Sequence, residues 1–220
     1  MTPDGTHDAR RGPAKRVVVT GGPGAGKTAI LELARRNLCA HVHVMPESAR
    51  IVFGGGFPRG ASTTARRCAQ RAIYHVQHQL EEMAGDREDV VLALCDRGTV
   101  DGLAYWPGDP SAFFGEVGTT MSAELARYDA VLHLRTPTGD GYRNDAVRIE
   151  TEREAHEIDA RLLEVWSAHP RRIVIDSATD FLVKAERALA FLRDELPDPC
   201  RHERTRPAGE RALATWGGSP

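Results

Sequence analysis

RVVVT at residues 16–20, followed without a break by GGPGAGKT at 21–28, decides how the chain is read. The first run is a short Val-rich strand pattern. The second fits G-x-x-x-x-G-K-[ST], and Ile30, Leu33, Ala34 and Leu38 then follow on one helical face. A strand that enters a glycine-rich turn and opens a helix is the context in which this motif cradles phosphate. Glycines let backbone N–H groups turn inward around an anion, and the helix N-terminus adds the positive end of its dipole. Gly21, Gly22, Pro23, Gly24, Ala25, Gly26, Lys27 and Thr28 are therefore expected to bind a nucleoside triphosphate as its magnesium complex. Lys27 reaches the outer phosphates and the Thr28 hydroxyl ligates Mg2+.

Working outward, four further runs are rich in Val, Ile or Leu and too short for a typical helix. They are HVHVMPE (41–47), DVVLALC (89–95), DAVLHLR (129–135) and RRIVIDS (171–177). Strands of a parallel sheet covered on both faces read this way. Helical faces lie between them: Ile73, Val76, Leu80 and Met83; Ile158, Leu162, Val165 and Trp166; Leu182, Ala185, Leu189 and Leu192. Strand alternating with helix implies right-handed crossovers, hence an α/β fold with a doubly wound parallel five-stranded sheet that carries the P-loop. The 220 residues suit one such domain, and 41% hydrophobic residues place the chain among globular rather than disordered sequences. The domain is expected over 15–196, with flexible tails at 1–14 and 197–220.

A formal net charge of −2 gives no electrostatic reason to expect nucleic acid as partner. Lys15, Lys27 and Lys184 are the only lysines, so no guanine-reading N-K-x-D loop is present and ATP is the expected nucleotide. Cys39, Cys68, Cys95 and Cys200 show no C-x-x-C spacing, which argues for a reducing, cytoplasmic setting without disulfides or structural zinc. His41 with His43, and His75 with His78, share faces but find no third ligand by spacing. The first 16 residues lack the apolar core of a signal peptide, and no apolar run reaches membrane-spanning length.

In a doubly wound sheet the strand ends gather on the ligand edge. Asp96, delivered by VVLALC, reads as a Walker-B-like carboxylate that holds Mg2+ or a water bound to it; the plainer reading is an Asp that ends a strand. Glu47 is either a general base for a substrate hydroxyl or a surface carboxylate or helix cap. Arg50 binds substrate or makes an ordinary ion pair. DRGTVDGLAYW (96–106) sets Arg97 beside Asp96, near a transferring phosphoryl group, with Asp101 and Tyr105 at the acceptor pocket or in plain packing roles. The polar stretch at 136–148 carries Arg143 and Arg148, the pattern of a lid that brings arginines onto phosphates or of a solvated charged loop. IDSATD (175–180) lies over the base or caps a helix. IVFGGGFPRG (51–60) sits where an acceptor is read and bears no substrate signature.

GGPGAGKT, PESAR, DRGTVDGLAYW and NDAVRIETEREAHEID together resemble a small AAA-labelled P-loop family over about residues 15–195. That family includes the nicotinamide-riboside kinase domain of a bacterial NAD regulator and an insect trafficking protein that binds GTP and phosphatidic acid. The resemblance implies a kinase-like sheet ordered 2-3-1-4-5, Glu47 as base, Arg97 beside the phosphates and Arg148 in the lid. No nucleotidyltransferase or DNA-binding segment accompanies these motifs, so the likeness is expected to the kinase portion alone. The expected function is Mg2+-dependent transfer of phosphoryl from ATP to a small-molecule, nucleoside-like hydroxyl. The alternative is a nucleotide-binding regulatory ATPase or GTPase working through a protein or lipid partner. No motif names the acceptor or the oligomeric state.

Overall fold

A computed structural model describes residues 12–137, 151–177 and 180–201. Five parallel strands form one sheet in the order β2-β3-β1-β4-β5. They are β1 (Lys15–Thr20), β2 (Val42–Met45), β3 (Leu92–Asp96), β4 (Ala130–Leu134) and β5 (Arg172–Ile175). The doubly wound α/β expectation and the strand order are thereby met.

RVVVT is apolar throughout because β1 is central and covered on both faces. Val18 stands in register with Cys95 of β3 and Val131 of β4. Successive side chains alternate between two cores. Val17 and Val19 join Ile30, Ala34 and Leu192 on one side, while Val18 joins Phe113, Val131 and Trp166 on the other. The first side is covered by α1 (Lys27–Asn37) and α7 (Phe181–Asp194). The second is covered by α3 (Thr63–Gly85), α6 (Glu152–Val165) and a 3-10 turn at Thr99–Tyr105. Shorter helices complete the described chain: α2 (Ser48–Gly54), α4 (Pro110–Val117), α5 (Met121–Leu125) and α8 (Asp198–Arg201).

Helix starts follow side-chain chemistry. Ser62 caps α3 by accepting from the Ala65 amide, and Asp180 caps α7 by accepting from the Leu182 amide. Thr151 and Glu154 form a reciprocal capping box that fixes the start of α6. Packing departs from the expected helical faces in two places. In α3 the buried residues are Ala69, Tyr74, Gln77, Glu81 and Ala84, and Met83 is exposed. The helix is turned so that Glu81, fully buried, accepts from Arg127, Tyr128 and Gln77. A hydrogen-bonded carboxylate is thus accommodated where apolar periodicity alone expects Met. In α7 the inner face is Lys184, Ala185, Ala188 and Leu192, with Leu182 outside. The packed body continues past residue 196 through α8, which buries Cys200. Among the described residues no helix is long and apolar enough to cross a membrane.

Candidate active site

The loop after β1 needs its glycines. Gly21, Gly24 and Gly26 have positive φ values of 135°, 78° and 91°. A Cβ on Gly21 would stand 2.0 Å from the Leu134 carbonyl oxygen, so no side chain fits there. Lys27 opens α1 and folds its ammonium back onto the loop, donating to the carbonyls of Gly21 (2.8 Å) and Gly22 (3.0 Å). Burial and the nearby Arg97 lower its pKa to about 7, against the opposing pull of Asp96, Glu47 and Asp101. Thr28 is exposed in the first turn of α1, which contains no acidic residue. The dipole end of this helix is therefore free of a competing carboxylate from its own first turn.

Other elements hold the loop from outside. The Gly22 amide donates to Asp159 Oδ1 on α6 at 3.0 Å. Arg135 Nε donates to Asp159 Oδ2 at 2.6 Å, and His133 Nε2 lies 3.0 Å from Oδ1. Burial pushes the Asp159 pKa up, but His133, the Gly22 amide and Arg135 overcome it and hold the carboxyl at about 2. Lys184 of α7 donates to the carbonyls of Ala25 (2.9 Å) and Arg135 (2.8 Å), and the Thr136 hydroxyl donates to the Pro23 carbonyl (3.2 Å). Asp159 and Lys184 were not assigned these roles from sequence. Asp159 does close the quoted motif NDAVRIETEREAHEID, whereas nothing local marks Lys184.

Asp96 ends β3 beside the loop. One of its carboxylate oxygens is buried without a hydrogen-bond partner among the described residues. Burial raises its pKa to about 6, opposed by Lys27 and reinforced by Glu47. A buried acceptor oxygen left unsatisfied costs about 1–3 kcal/mol. A hard cation, or a water bound to one, satisfies such an oxygen. With the Thr28 hydroxyl on the adjoining helix, the donor set is oxygen only, which suits Mg2+.

Arg97 is the one described non-glycine residue with positive φ, 76°. The turn is held by its own bonds. Its amide donates to the Val19 carbonyl, Nε donates to Glu47 Oε1 at 3.0 Å, and Nη1 donates to Asp101 Oδ2 at 3.4 Å. Burial opposes the charge, but Tyr105, Asp101, Glu47 and Asp96 outweigh it and push the pKa above the usual arginine value. Asp101 is itself fully engaged, accepting from Thr20 Oγ1 (2.8 Å) and Trp166 Nε1 (2.6 Å). It braces Arg97 and also lines the cleft described below. The i,i+4 spacing within DRGTVD was the available signal for this pair. Glu47 occupies the N-cap position of α2, yet its side chain makes no capping bond and turns to Arg97 instead.

Glu47, Arg97 and Asp101 border a cleft of about 620 Å³. Its wall runs from Pro23 of the loop past Glu47 and Arg97 to Phe53, Gln77 and Tyr105. Arg50 lines it too, as does the glycine-rich insert through Gly60, where Arg59 stacks over Phe53 at 4.0 Å. Arg143 and Arg148 lie outside the described residues, as do residues 178–179 of the IDSATD turn.

A family model described as an AAA domain matches residues 16–184. Among solved structures, NadR in complex with NR aligns at a TM-score of 0.65 and 17% identity, covering 88% of this chain and 53% of that one. NadR with NAD and AMP-PNP aligns at 0.57 and 16%, covering 83% and 49%. Deoxyadenosine kinase from M. mycoides with bound dATP aligns at 0.56 and 14%, covering 80% and 98%. At these identities the likeness is one of fold, and the chain spans about half the length of the NadR chains it matches. None of the curated proteins compared matches the chain.

Proposed function

The chain belongs to the AAA-domain family matched over residues 16–184, with a P-loop NTPase fold of the nucleoside-kinase type, and on that premise we propose that it is an ATP-dependent kinase of a nucleoside-like hydroxyl. The observation that carries the reading is that the Glu47–Arg97 pair lines one cleft with Pro23 of the P-loop, while Asp96 stands close enough to interact electrostatically with Lys27, Glu47 and Arg97. The volume of about 620 Å³ lies within the range of small-molecule sites. The acceptor class follows the ligands named for the structural neighbours: NR for NadR, and dATP, dCMP and dCDP for deoxyadenosine kinase.

In this reading the acceptor hydroxyl oxygen bonds to the γ-phosphorus as the bond from phosphorus to the β,γ-bridging oxygen breaks, and ADP leaves. Glu47, held toward the cleft by Arg97, takes the hydroxyl proton. Lys27 leaves the Gly21 and Gly22 carbonyls to balance charge on the outer phosphates. Arg97 sets the orientation of Glu47 and adds positive potential beside the transferring group. Arg143 and Arg148 are the candidate phosphate-contacting arginines of the segment after β4. Thr28 and Asp96 would hold Mg2+, which when bound neutralises phosphate charge. Asp159, Lys184 and Thr136 keep the cradle in shape before ATP arrives, the preorganisation that phosphoryl transfer relies on.

A coupled ADP-release screen over nucleosides, ribosides, sugars and buffer alone tests the proposal. Acceptor-dependent release from one compound class is the expected result. ATP binding with no acceptor dependence in any class contradicts it and selects the regulatory NTPase.

A further inference from the structure

The sheet has two ends, and the one opposite the P-loop carries a cluster that phosphoryl transfer does not use. Cys39 follows α1, His41 leads into β2, and Cys200 lies in α8. One ligand atom from each, two Sγ and one imidazole nitrogen, lie within 4.8 Å of one another. Cys200 Sγ stands 3.6 Å from His41 Nδ1. The thiols are 3% and 2% exposed and His41 is partly buried, so the cluster is enclosed but reachable past the imidazole.

We propose that Cys39, His41 and Cys200 form a site for a soft divalent cation of the zinc type and supply its three ligands among the described residues. Metal–sulfur and metal–nitrogen bonds of about 2.3 and 2.0 Å set tetrahedral ligand atoms roughly 3.4–3.8 Å apart. The Cys200–His41 separation already falls there, and the remaining ones, at most 4.8 Å, close by about 1.4 Å at most. Two thiolates and an imidazole select zinc-type ions over Mg2+, so the site is chemically distinct from the oxygen donors at Asp96. On binding, both S–H groups lose their protons to solvent as two metal–sulfur bonds form. The dication and two thiolates then sum to zero charge, which suits an enclosed position.

The arrangement also accounts for α8. A helix of four residues is too short to persist on propensity, and the side chain it buries is Cys200. A shared ion fastens it to the turn between α1 and β2. Sequence spacing argued against structural zinc because no two cysteines are close in the chain. Cys200 is 159 residues from His41 and returns only through α7 and α8.

The test uses the full chain, reduced and stripped with chelator, then titrated with Co2+ and afterwards Zn2+. One equivalent of Co2+ should bring thiolate-to-cobalt charge-transfer and tetrahedral d–d absorption, and Zn2+ should displace it and raise Tm. Cys39→Ser, Cys200→Ser and His41→Asn should each weaken binding by roughly tenfold or more, with Cys68→Ser unchanged. Should a cysteine variant unfold, His41→Asn decides, since its side chain is partly exposed. Wild-type Co2+ affinity in folded His41→Asn, absence of the thiolate band, or a Cys39–Cys200 disulfide in place of metal overturns the site. None of these outcomes bears on the P-loop, which lies at the other end of the sheet.

Discussion

The Asp159 carboxylate, fully buried on α6, accepts a hydrogen bond from the amide of Gly22 in the phosphate loop at 3.0 Å. A negative group at the back of an anion cradle is tolerable because the Arg135 guanidinium pairs with it and His133 Nε2 lies at hydrogen-bond distance. Asp159→Asn sets an amide N–H against the Arg135 guanidinium or the Gly22 N–H. It should lower stability by about 1–3 kcal/mol and weaken triphosphate binding. Urea denaturation and nucleotide titration measure the two effects, and a variant equal to wild type in both contradicts the strut role. The pH sign follows from a folded pKa of about 2, below the unfolded value of about 3.9. The contribution of Asp159 is complete above about pH 4 and is lost as pH falls through about 2.

Lys27 and Asp96 should give nucleotide binding a characteristic proton balance. The Lys27 pKa is lowered to about 7, and an adjacent polyanion raises it again. Binding at about pH 8 should therefore take up protons. Calorimetry in buffers of different ionisation enthalpy detects this uptake. It should vanish in Lys27→Met, and uptake unchanged in that variant assigns the proton elsewhere.

The raised Asp96 pKa, about 6, predicts that metal-dependent binding weakens as pH falls through that value, because the neutral acid is a poor ligand. Activity should vanish with EDTA and return with Mg2+ or Mn2+. Asp96→Asn should need more metal for half-maximal activity and lose the inflection near pH 6. An unchanged metal requirement removes Asp96 from the metal site.

Glu47→Gln separates base from scaffold. The amide can still accept from Arg97 Nε, so the fold and ATP affinity should persist. Phosphoryl transfer should fall about 10²–10⁴-fold, toward the lower end because a loose transition state asks little of a base. Transfer at the wild-type rate to the true acceptor contradicts the base assignment.

The fold was legible because RVVVT and the other apolar runs are local signals, and the strands fall within the expected runs to a residue or two. The proximity of Glu47, Asp96 and Arg97 was legible because strand ends converge on one edge of a parallel sheet. Asp159 and Lys184 were not, since each acts on a loop carbonyl or amide more than 130 residues away. The face of α3 was misread for a related reason. Gln77 and Glu81 look solvent-facing until Arg127 and Tyr128 meet them in the fold.

Transfer of label from ATP radiolabelled at the γ-phosphoryl, with pooled nucleosides and ribosides as acceptors, tests the kinase reading most directly. Wild type should yield a labelled organic phosphate that requires acceptor and Mg2+, absent with Lys27→Ala and much reduced with Glu47→Gln. Label appearing only as inorganic phosphate, at the same rate with or without acceptor, would contradict it.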